Sequence, residues 1–270
     1  LAVWAATVQG AGEGYAYFLD PDFSVLIANA GEIVPFAVGQ AFFTLSLGMG
    51  IMITYSSYIG EDDNLPVDGA TVVVVNTLIG VLAGLVVFPI LFANDIGVEG
   101  IEGGAGALFV SVASGLAGLG SVGRVIGVVF FLAVFIAALS SAISLMEVTV
   151  AYFVDNHGWS RPKLAAGVGL GLFLLGLPSA MDTAWLTWFD TLAYKLLLPV
   201  SVLFVLIFVG WILADDALAE LREGAGSLEL SGPFWLWMIR TIVILGVLMT
   251  LWLGLQTLFL GESPAIVPPL

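Results

Sequence analysis

The sequence predicts an all-α, polytopic membrane protein, and three observations lead to that fold class. The 270 residues are 60% hydrophobic and only 10% charged, and the mean hydropathy is +1.11. Several apolar stretches reach the roughly 20 residues that a helix needs to cross a bilayer. One of them, Val34 to Tyr58, carries glycines and polar residues at its middle. A soluble α/β domain with buried helices is the alternative, and the number of membrane-length stretches argues against it.

The interrupted stretch from Val34 to Tyr58 is the most informative part of the chain. Its polar and glycine positions are Gln40, Thr44, Ser46, Gly48 and Gly50. Hydrocarbon cannot satisfy exposed backbone groups, so a break in a membrane helix is tolerated only where it is buried in protein or lines a cavity. We therefore expect two half-helices that meet near Leu45 to Gly48. Secondary transporters use such discontinuous helices to offer backbone groups to substrates and ions, so the segment indicates solute transport.

Charge and composition exclude several classes of function. The net charge is −15, from 21 acidic and 6 basic residues, and the acids lie mostly outside the apolar stretches. This balance predicts a halophilic protein and argues against nucleic acid as a partner. The chain has no cysteine, so disulfides and thiolate metal sites are excluded. It has one histidine and no HExxH, Walker A or GxSxG motif, so no enzymatic activity is expected.

The chain is interpreted as a single transmembrane domain, residues 1–270, with about six spans. Leu1 to Val8 is expected to be the tail of a helix whose beginning is absent. The predicted spans are Val34 to Tyr58, Val67 to Ala93, Val122 to Val154, Leu164 to Leu177, Trp185 to Ala214 and Pro233 to Leu258.

Three longer connections separate the predicted spans. Residues 10–31 are Gly-rich and acidic, residues 94–121 are rich in Gly, Ala and Ser with a short helix expected at Leu108 to Ala117, and residues 215–232 are acidic. His157, Arg161 and Lys163 share one short turn, which the positive-inside rule places in the cytoplasm. That orientation makes 215–232 a cytoplasmic loop and makes 10–31 and 94–121 extracellular loops.

Neutral oxygen atoms inside the spans are the first candidates for an ion site. Thr44, Ser46 and Asn76 carry hydroxyl or amide oxygens, which suit an alkali cation. The structural alternative is a hydrogen bond to the backbone or to a neighbouring helix. Asn76 is harder to explain in that way, because an unpaired amide in hydrocarbon is costly.

A second group of polar residues lies in the span from Val122 to Val154. Ser140 and Ser144 share a helix face and Ser141 is adjacent, an arrangement that serves either an ion site or helix packing. Glu147 is either functional or a structural partner for a backbone or hydroxyl group.

Three charged residues lie within the last two predicted spans. Lys195 and Arg240 are expected near the beginnings of their spans, where they could snorkel to the interface, so both are interpreted as structural unless paired. Asp190 is placed to cap or gate an entrance.

Three segments together resemble the neurotransmitter:sodium symporter family, specifically its prokaryotic amino-acid transporters with the leucine-transporter fold. They are GQAFFTLSLGMGIMITYSSYIGEDDNLP, NTLIGVLAGLVVFPILF and AALSSAISLMEV. The resemblance extends from Leu1 to about Leu258 and implies a 5+5 inverted-repeat fold, of which this chain would be the end of the fifth helix through the eleventh. The N-terminal helices would then come from the same gene product or from a second chain, and this chain alone should not transport.

The resemblance also implies site residues. A first sodium site would use Thr44 and Asn76, and a second would use the carbonyl of Ala137 with the hydroxyls of Ser140 and Ser141. The implied substrate contacts are Phe43, Thr44, Ser46, Met49, Ser141 and Leu145. Asp190 resembles a carboxylate of the extracellular gate. Chloride-dependent members have a serine where this chain has Gly80, and Gln40 matches another chloride-site residue, so chloride remains open.

The function implied is sodium-coupled symport of an amino acid or a related small zwitterion across the cytoplasmic membrane, by alternating access. Its partners would be the amino-acid substrate, sodium ions and the lipid bilayer. An ion channel, or a structural or sensing membrane subunit without coupled transport, is the alternative. A channel would show a polar stripe repeated on several helices, whereas the polar residues here cluster at one depth and favour an occluded site.

Overall fold

The computed structural model describes residues 1–60, 63–94, 107–223 and 232–260, and these ranges contain helices and no strands. The α-helices are α1 Ala2–Ala5, α2 Ala11–Leu19, α3 Phe23–Ala28, α4 Ala30–Thr44, α5 Ile51–Ser56, α6 Leu65–Phe92, α7 Val112–Gly118, α8 Gly120–His157, α9 Arg161–Met181, α10 Thr183–Leu192, α11 Leu198–Ile207, α12 Ala214–Glu223, α13 Gly232–Met238 and α14 Ile244–Leu255. Short π-helical turns occupy Ala107–Ser111, Ala193–Leu197, Phe208–Ile212, Ile239–Val243 and Gln256–Leu260. The predicted all-α class is confirmed.

Five helical segments in the described ranges are long and apolar enough to cross a membrane. They are Leu65–Phe92, Gly120–His157, Arg161–Met181, Thr183–Ile212 and Gly232–Leu260. Each matches a span predicted from the sequence, extended at one or both ends by a few residues. The extensions add polar and charged residues such as Arg161 and Asn156, which can lie at the headgroup level beyond the hydrocarbon.

The interruption predicted for the first span is present. Helix α4 ends at Thr44, helix α5 begins at Ile51, and the backbone between them is not helical. Proline inside α4, at Pro35, lies more than two turns before the break and so does not cause it. The break instead coincides with residues in left-handed conformation, which a right-handed helix cannot include.

The chain divides into two compact units, and the first comprises Leu1–Ala28 and Val75–Ile143. Its core joins the end of α6 to α7 and to the first half of α8. The buried residues of this core are Val86, Ile90, Leu91, Val112, Leu116 and Phe130.

Residues 10–31, predicted to be an extracellular loop, contain the helices α2 and α3, which the sequence did not predict. Helix α2 is stabilised by tertiary packing rather than by propensity: the ring of Phe18 stacks on Phe88 of α6 with centroids 4.9 Å apart, and Tyr17 lies 5.4 Å from the same ring. Such packing outweighs the low helix propensity of glycine. Residues 20–22 are not helical and separate the two helices.

Asp22 begins α3 as a capping residue. Its Oδ1 accepts hydrogen bonds from the hydroxyl and the amide of Ser24 and from the amide of Val25. These bonds, led by the one from the Ser24 hydroxyl, stabilise the charged carboxylate and lower the pKa of Asp22 below its ordinary value.

In the connection at 94–121, the helix expected at Leu108 to Ala117 is present as the Ala107–Ser111 π turn followed by α7. Residues 95–106 of this connection lie outside the described residues.

The second unit comprises Asn29–Val74 and Ser144–Leu270. Its core packs α4 between α11 and α14, and its buried residues are Phe42, Leu198, Val202 and Val247. Because Phe42 lies two residues before the end of α4, this packing fixes where the helix breaks relative to α11.

Residues 215–232 were predicted to be an acidic loop, and their described part is helical: residues 215–223 belong to α12, and Gly232 begins α13. Asp215 and Asp216 lie in the first turn of α12 and Arg222 in its last, so the charges complement the helix dipole and explain why a polar segment is helical. Residues 224–231 lie outside the described residues.

Candidate functional site

The backbone of the break between Thr44 and Ile51 is held in left-handed conformation at three positions. The φ angles are +56° at Ser46, +79° at Gly48 and +80° at Gly50. Ser201 of α11 donates a hydrogen bond from its hydroxyl to the carbonyl oxygen of Gly48, at 2.5 Å. One carbonyl freed by the break is therefore satisfied by a neighbouring helix, as membrane depth requires.

Both glycines of the break lie close to neighbouring helices. A Cβ atom at Gly48 would lie 2.6 Å from Cγ2 of Val202 and 3.1 Å from the Val202 backbone nitrogen. A Cβ atom at Gly50 would lie 2.8 Å from Cγ1 of Val148, on α8. Glycine is therefore favoured at both positions for two reasons: it tolerates a positive φ, and it has no Cβ atom to crowd the neighbouring helix.

The residues on either side of the break differ in burial. Phe43 is 46% exposed, and its ring lies 6.5 Å from the ring of Tyr194 in an edge-on arrangement. Thr44 is exposed at the last position of α4. Met49, expected to line a substrate pocket, is partly buried and packs against the core of the second unit.

Asn76 lies in α6, in the first unit, and is half-buried, whereas its neighbours from Thr71 to Val75 and from Thr77 to Gly80 are exposed. Asn76 is therefore more buried than the helix surface around it.

The candidate oxygens of α8 also lie in the first unit. The hydroxyl of Ser140 donates to the carbonyl oxygen of Ala137 at 2.7 Å. These are two of the three predicted ligands of the second sodium site, so the structure brings them together. The same bond is the one that the structural alternative requires. Ser141 is exposed on the same helix.

Further along α8, a polar network joins this helix to α5 and α9. The hydroxyls of Tyr55 and Ser144 share a hydrogen bond. The hydroxyl of Tyr58 donates to Oε1 of Glu147 at 2.9 Å, and Arg161 donates to the same oxygen at 2.8 Å. Glu147 is thus a structural partner within the second unit, which agrees with the second of its two predicted roles.

The sequence analysis did not anticipate Arg161 and Tyr58 as partners of Glu147. The sequence signal for this pairing was the position of Arg161 close after the span that contains Glu147. Arg161 is the first residue of α9, and from there its long side chain can reach the preceding helix. The guanidinium is 53% exposed and the carboxylate 20%, so the ion pair lies at the edge of the protein.

The remaining predicted positions are exposed. Leu145 is 45% exposed, and Asp190 and Gln40 are also exposed, as is Gly80. Asp190 lies in α10, seven residues after its first residue, Thr183.

Lys195 lies deeper in its span than expected, and Arg240 is paired. Lys195 lies about 18 Å along the Thr183–Ile212 segment, near its middle, so the prediction that it lies near the beginning of a span is wrong. Arg240 donates to the carbonyl oxygen of Gly210 at 2.6 Å and lies over the ring of Trp211, so it is paired.

Comparison with known proteins shows which family the chain resembles. The model of the sodium:neurotransmitter symporter family matches residues 1–260. The uncharacterized sodium-dependent transporter YhdH of Bacillus subtilis is 33% identical over an alignment of 260 positions, which covers 92% of this chain and 56% of that protein. An uncharacterized sodium-dependent transporter of Methanocaldococcus jannaschii is 33% identical over 87% of this chain and 49% of its own length.

Two further comparisons name amino acids. The sodium-dependent nutrient amino acid transporter 1 of Drosophila grimshawi is 27% identical over 89% of this chain and 39% of that protein. The crystal structure of MhsT in complex with L-phenylalanine is similar in fold, with a TM-score of 0.78 and 34% identity over 94% of this chain and 58% of MhsT.

The chain spans about half the length of the curated relatives it matches. The match nonetheless covers nearly all of this chain, and it agrees with the five long apolar helices and the broken α4–α5 segment. This multi-pass membrane protein therefore belongs to the sodium:neurotransmitter symporter family.

Proposed function

We propose that the full-length protein transports an amino acid or a related small zwitterion together with sodium, by alternating access. The observation that carries the proposal is the break between Thr44 and Ile51 in a membrane-length segment, because a break at that depth exposes backbone groups that can bind ions and substrate. The family supports sodium coupling, and the names of two similar proteins support an amino acid.

Two sodium sites follow from the proposal, with sodium as a transported ion. The first uses Thr44 at the end of α4 and Asn76 of α6. The second uses the Ala137 carbonyl and the hydroxyls of Ser140 and Ser141. The two α8 oxygens lie 2.7 Å apart, and the hydroxyl of Ser140 would give up its bond to the Ala137 carbonyl when both bind the ion. Neutral oxygens of this kind bind a hard cation without a fixed negative charge.

The substrate site is proposed around the break. Phe43 would close over the substrate, and Met49 and Leu145 would bound its side chain, with Thr44, Ser46 and Ser141 as polar contacts. The exposure of Phe43 and Leu145 on this chain supports this role, because both side chains are available to a ligand or to other parts of the full-length protein. Asp190 is proposed as part of the extracellular gate, and chloride is not proposed.

Sodium and substrate are proposed to stabilise each other's binding. Each would order the broken helix, and the second ligand would then bind to a segment that is already ordered. This reciprocity means that a variant defective in sodium binding should also bind substrate more weakly.

The test is uptake by proteoliposomes that contain the full-length protein, with L-phenylalanine as the first amino acid tried. We expect uptake that depends on an inward sodium gradient. In Asn76→Ala and Ser141→Ala we expect the apparent sodium affinity to fall at least about tenfold, because a strong contact to a charged group is lost.

The matched control is Asn156→Ala, which removes an amide that donates to the Tyr152 carbonyl near the end of α8. Its sodium affinity should equal that of the unmodified protein. Unchanged sodium affinity in both site variants would contradict the site assignments. Symport itself would be contradicted if uptake of every amino acid tried were independent of the sodium gradient, or if the protein conducted ions without substrate.

A further inference from the structure

A small recess in the second unit lies apart from the residues assigned above. Its volume is about 140 Å³, and it is bounded by α4, by the Ala193–Leu197 π turn and by α14 with the π turn that follows it. Lys195 is one of its lining residues. The symport proposal gives this recess no role.

Lys195 carries a positive charge at a position where a charged side chain is energetically unfavourable. It is half-buried near the middle of the Thr183–Ile212 segment. An ionisable side chain at this depth is costly and usually pairs with an opposite charge. Among the residues that the structure describes, the ion pair present joins Arg161 to Glu147, and no carboxylate pairs with Lys195. The charge is therefore uncompensated in the described part of the chain.

The hydroxyl groups around the recess already donate hydrogen bonds to backbone carbonyl oxygens. Tyr194 donates to the carbonyl oxygen of Phe36 at 2.7 Å, Thr250 to that of Pro35 at 3.1 Å, and Thr257 to that of Leu253 at 3.0 Å. The first two bonds link neighbouring helices and the third lies within one helix, and none of these hydroxyls is free to donate to a ligand. The strong donor that lines the recess is therefore the Lys195 ammonium group.

The backbone around the recess is unusual on two sides. Lys195 and Tyr194 lie in one π turn and Thr257 in another, Gln256–Leu260, and turns of this kind are frequent at functional sites. Between them, a methyl group at Gly254 would overlap the carbonyl oxygen of Lys195, so α14 approaches this helix as closely as glycine allows. Both features bring polar groups into one small space.

We propose that this recess binds a monovalent carboxylate carried on an apolar chain, with Lys195 as its counter-charge. A single ammonium group balances one negative charge, whereas a phosphate would need further donors that the hydroxyls do not supply. The apolar part of the ligand contacts Pro35, Phe36 and Leu253. The carboxylate comes either from a fatty acid in the bilayer or from a short-chain acid in water.

The test measures direct binding to the purified full-length protein, so its outcome does not depend on transport. Radiolabelled dodecanoate is the membrane probe, and butyrate serves as the aqueous competitor. We expect saturable dodecanoate binding that weakens about tenfold to a hundredfold in Lys195→Met, as expected for the loss of a charged partner. Lys195→Arg should restore most of the affinity. Competition by butyrate would identify the aqueous source, and its absence the membrane source.

Two further variants keep the test decisive. Leu253→Phe fills the recess without removing charge and should also weaken binding. Arg124→Met removes an exposed cation from the first unit and should leave binding unchanged. The proposal is overturned if dodecanoate does not bind saturably, if Lys195→Met binds as well as the unmodified protein, or if Arg124→Met loses as much affinity. Equal displacement by chloride, or tighter binding of a phospholipid phosphate, would also overturn it.

Discussion

Ser46 is the one residue other than glycine with a positive φ in the described part of the chain. A side chain in this conformation costs roughly 1 kcal/mol relative to an ordinary one, and glycine would avoid that cost. Two glycines already serve the same break at positions 48 and 50. The presence of serine rather than glycine at a strained position supports the proposed contact of its side chain with substrate.

Replacement of Ser46 separates backbone strain from the use of the hydroxyl. In Ser46→Gly we expect the free energy of unfolding to stay equal or rise by up to about 1 kcal/mol, because strain relief competes with the greater freedom of glycine in the unfolded chain. Substrate binding should weaken. The measurements are thermal unfolding and equilibrium amino-acid binding, both on the full-length protein.

The companion variant Ser46→Ala keeps the strain and removes the hydroxyl. It should lose as much substrate affinity as Ser46→Gly, without the gain in stability. If both variants bind substrate as the unmodified protein does, the hydroxyl has no role in binding.

At the residue scale, the sequence predicted types of group better than their partners. The neutral oxygens of Thr44, Asn76 and Ser140 stand out in the sequence by their place in apolar spans, and their role at an ion site stays a prediction. The partners of Glu147 were not, because Tyr58 and Arg161 lie 89 and 14 residues away in sequence. Only the packing of α5, α8 and α9 brings these groups together.

At the scale of elements, the long apolar helices and the break were predictable because both follow from local composition. Twenty apolar residues predict a span, and glycines beside polar residues predict a break in it. Helix α2 was missed because its stability depends on the contacts of Phe18 and Tyr17 with Phe88, 70 or more residues away. The π turns were missed because no composition signal specifies them.

Gly48 tests how much the break depends on glycine. Gly48→Ala should lower the free energy of unfolding by about 1 to 2 kcal/mol, since alanine is strained at a φ of +79°. The added Cβ would also crowd Val202, 2.6 Å away, and the carbonyl of Leu198, 3.2 Å away. Thermal unfolding of the full-length protein measures the effect.

Gly171 provides the matched control, because it lies inside α9 with no atom within 4 Å of an added Cβ and without a positive φ. Gly171→Ala should leave stability equal or raise it by up to about 1 kcal/mol. If the two alanine variants behave alike, the left-handed conformation at Gly48 does not constrain the protein.

At the scale of the whole molecule, the net charge can be counted directly from the sequence. The chain carries 21 acidic and 6 basic residues, and in the described ranges many of the acids lie in α12 and in the short connections between spans. Like charges repel and oppose the compact state, and salt screens that repulsion. The acidic balance therefore has a consequence for stability as well as for the choice of partners.

We expect the thermal unfolding midpoint of the full-length protein to rise with potassium chloride concentration. The Debye length falls from about 30 Å at 0.01 M salt to about 3 Å at 1 M, so repulsion between the acidic segments is screened over this range. Choline chloride at equal ionic strength should give the same rise, because screening does not depend on the identity of the cation. Sodium chloride should add a further increment, since a ligand that binds the folded state stabilises it. A midpoint that does not change in potassium chloride would contradict the role of charge repulsion, and equal midpoints in sodium and potassium chloride would contradict sodium binding.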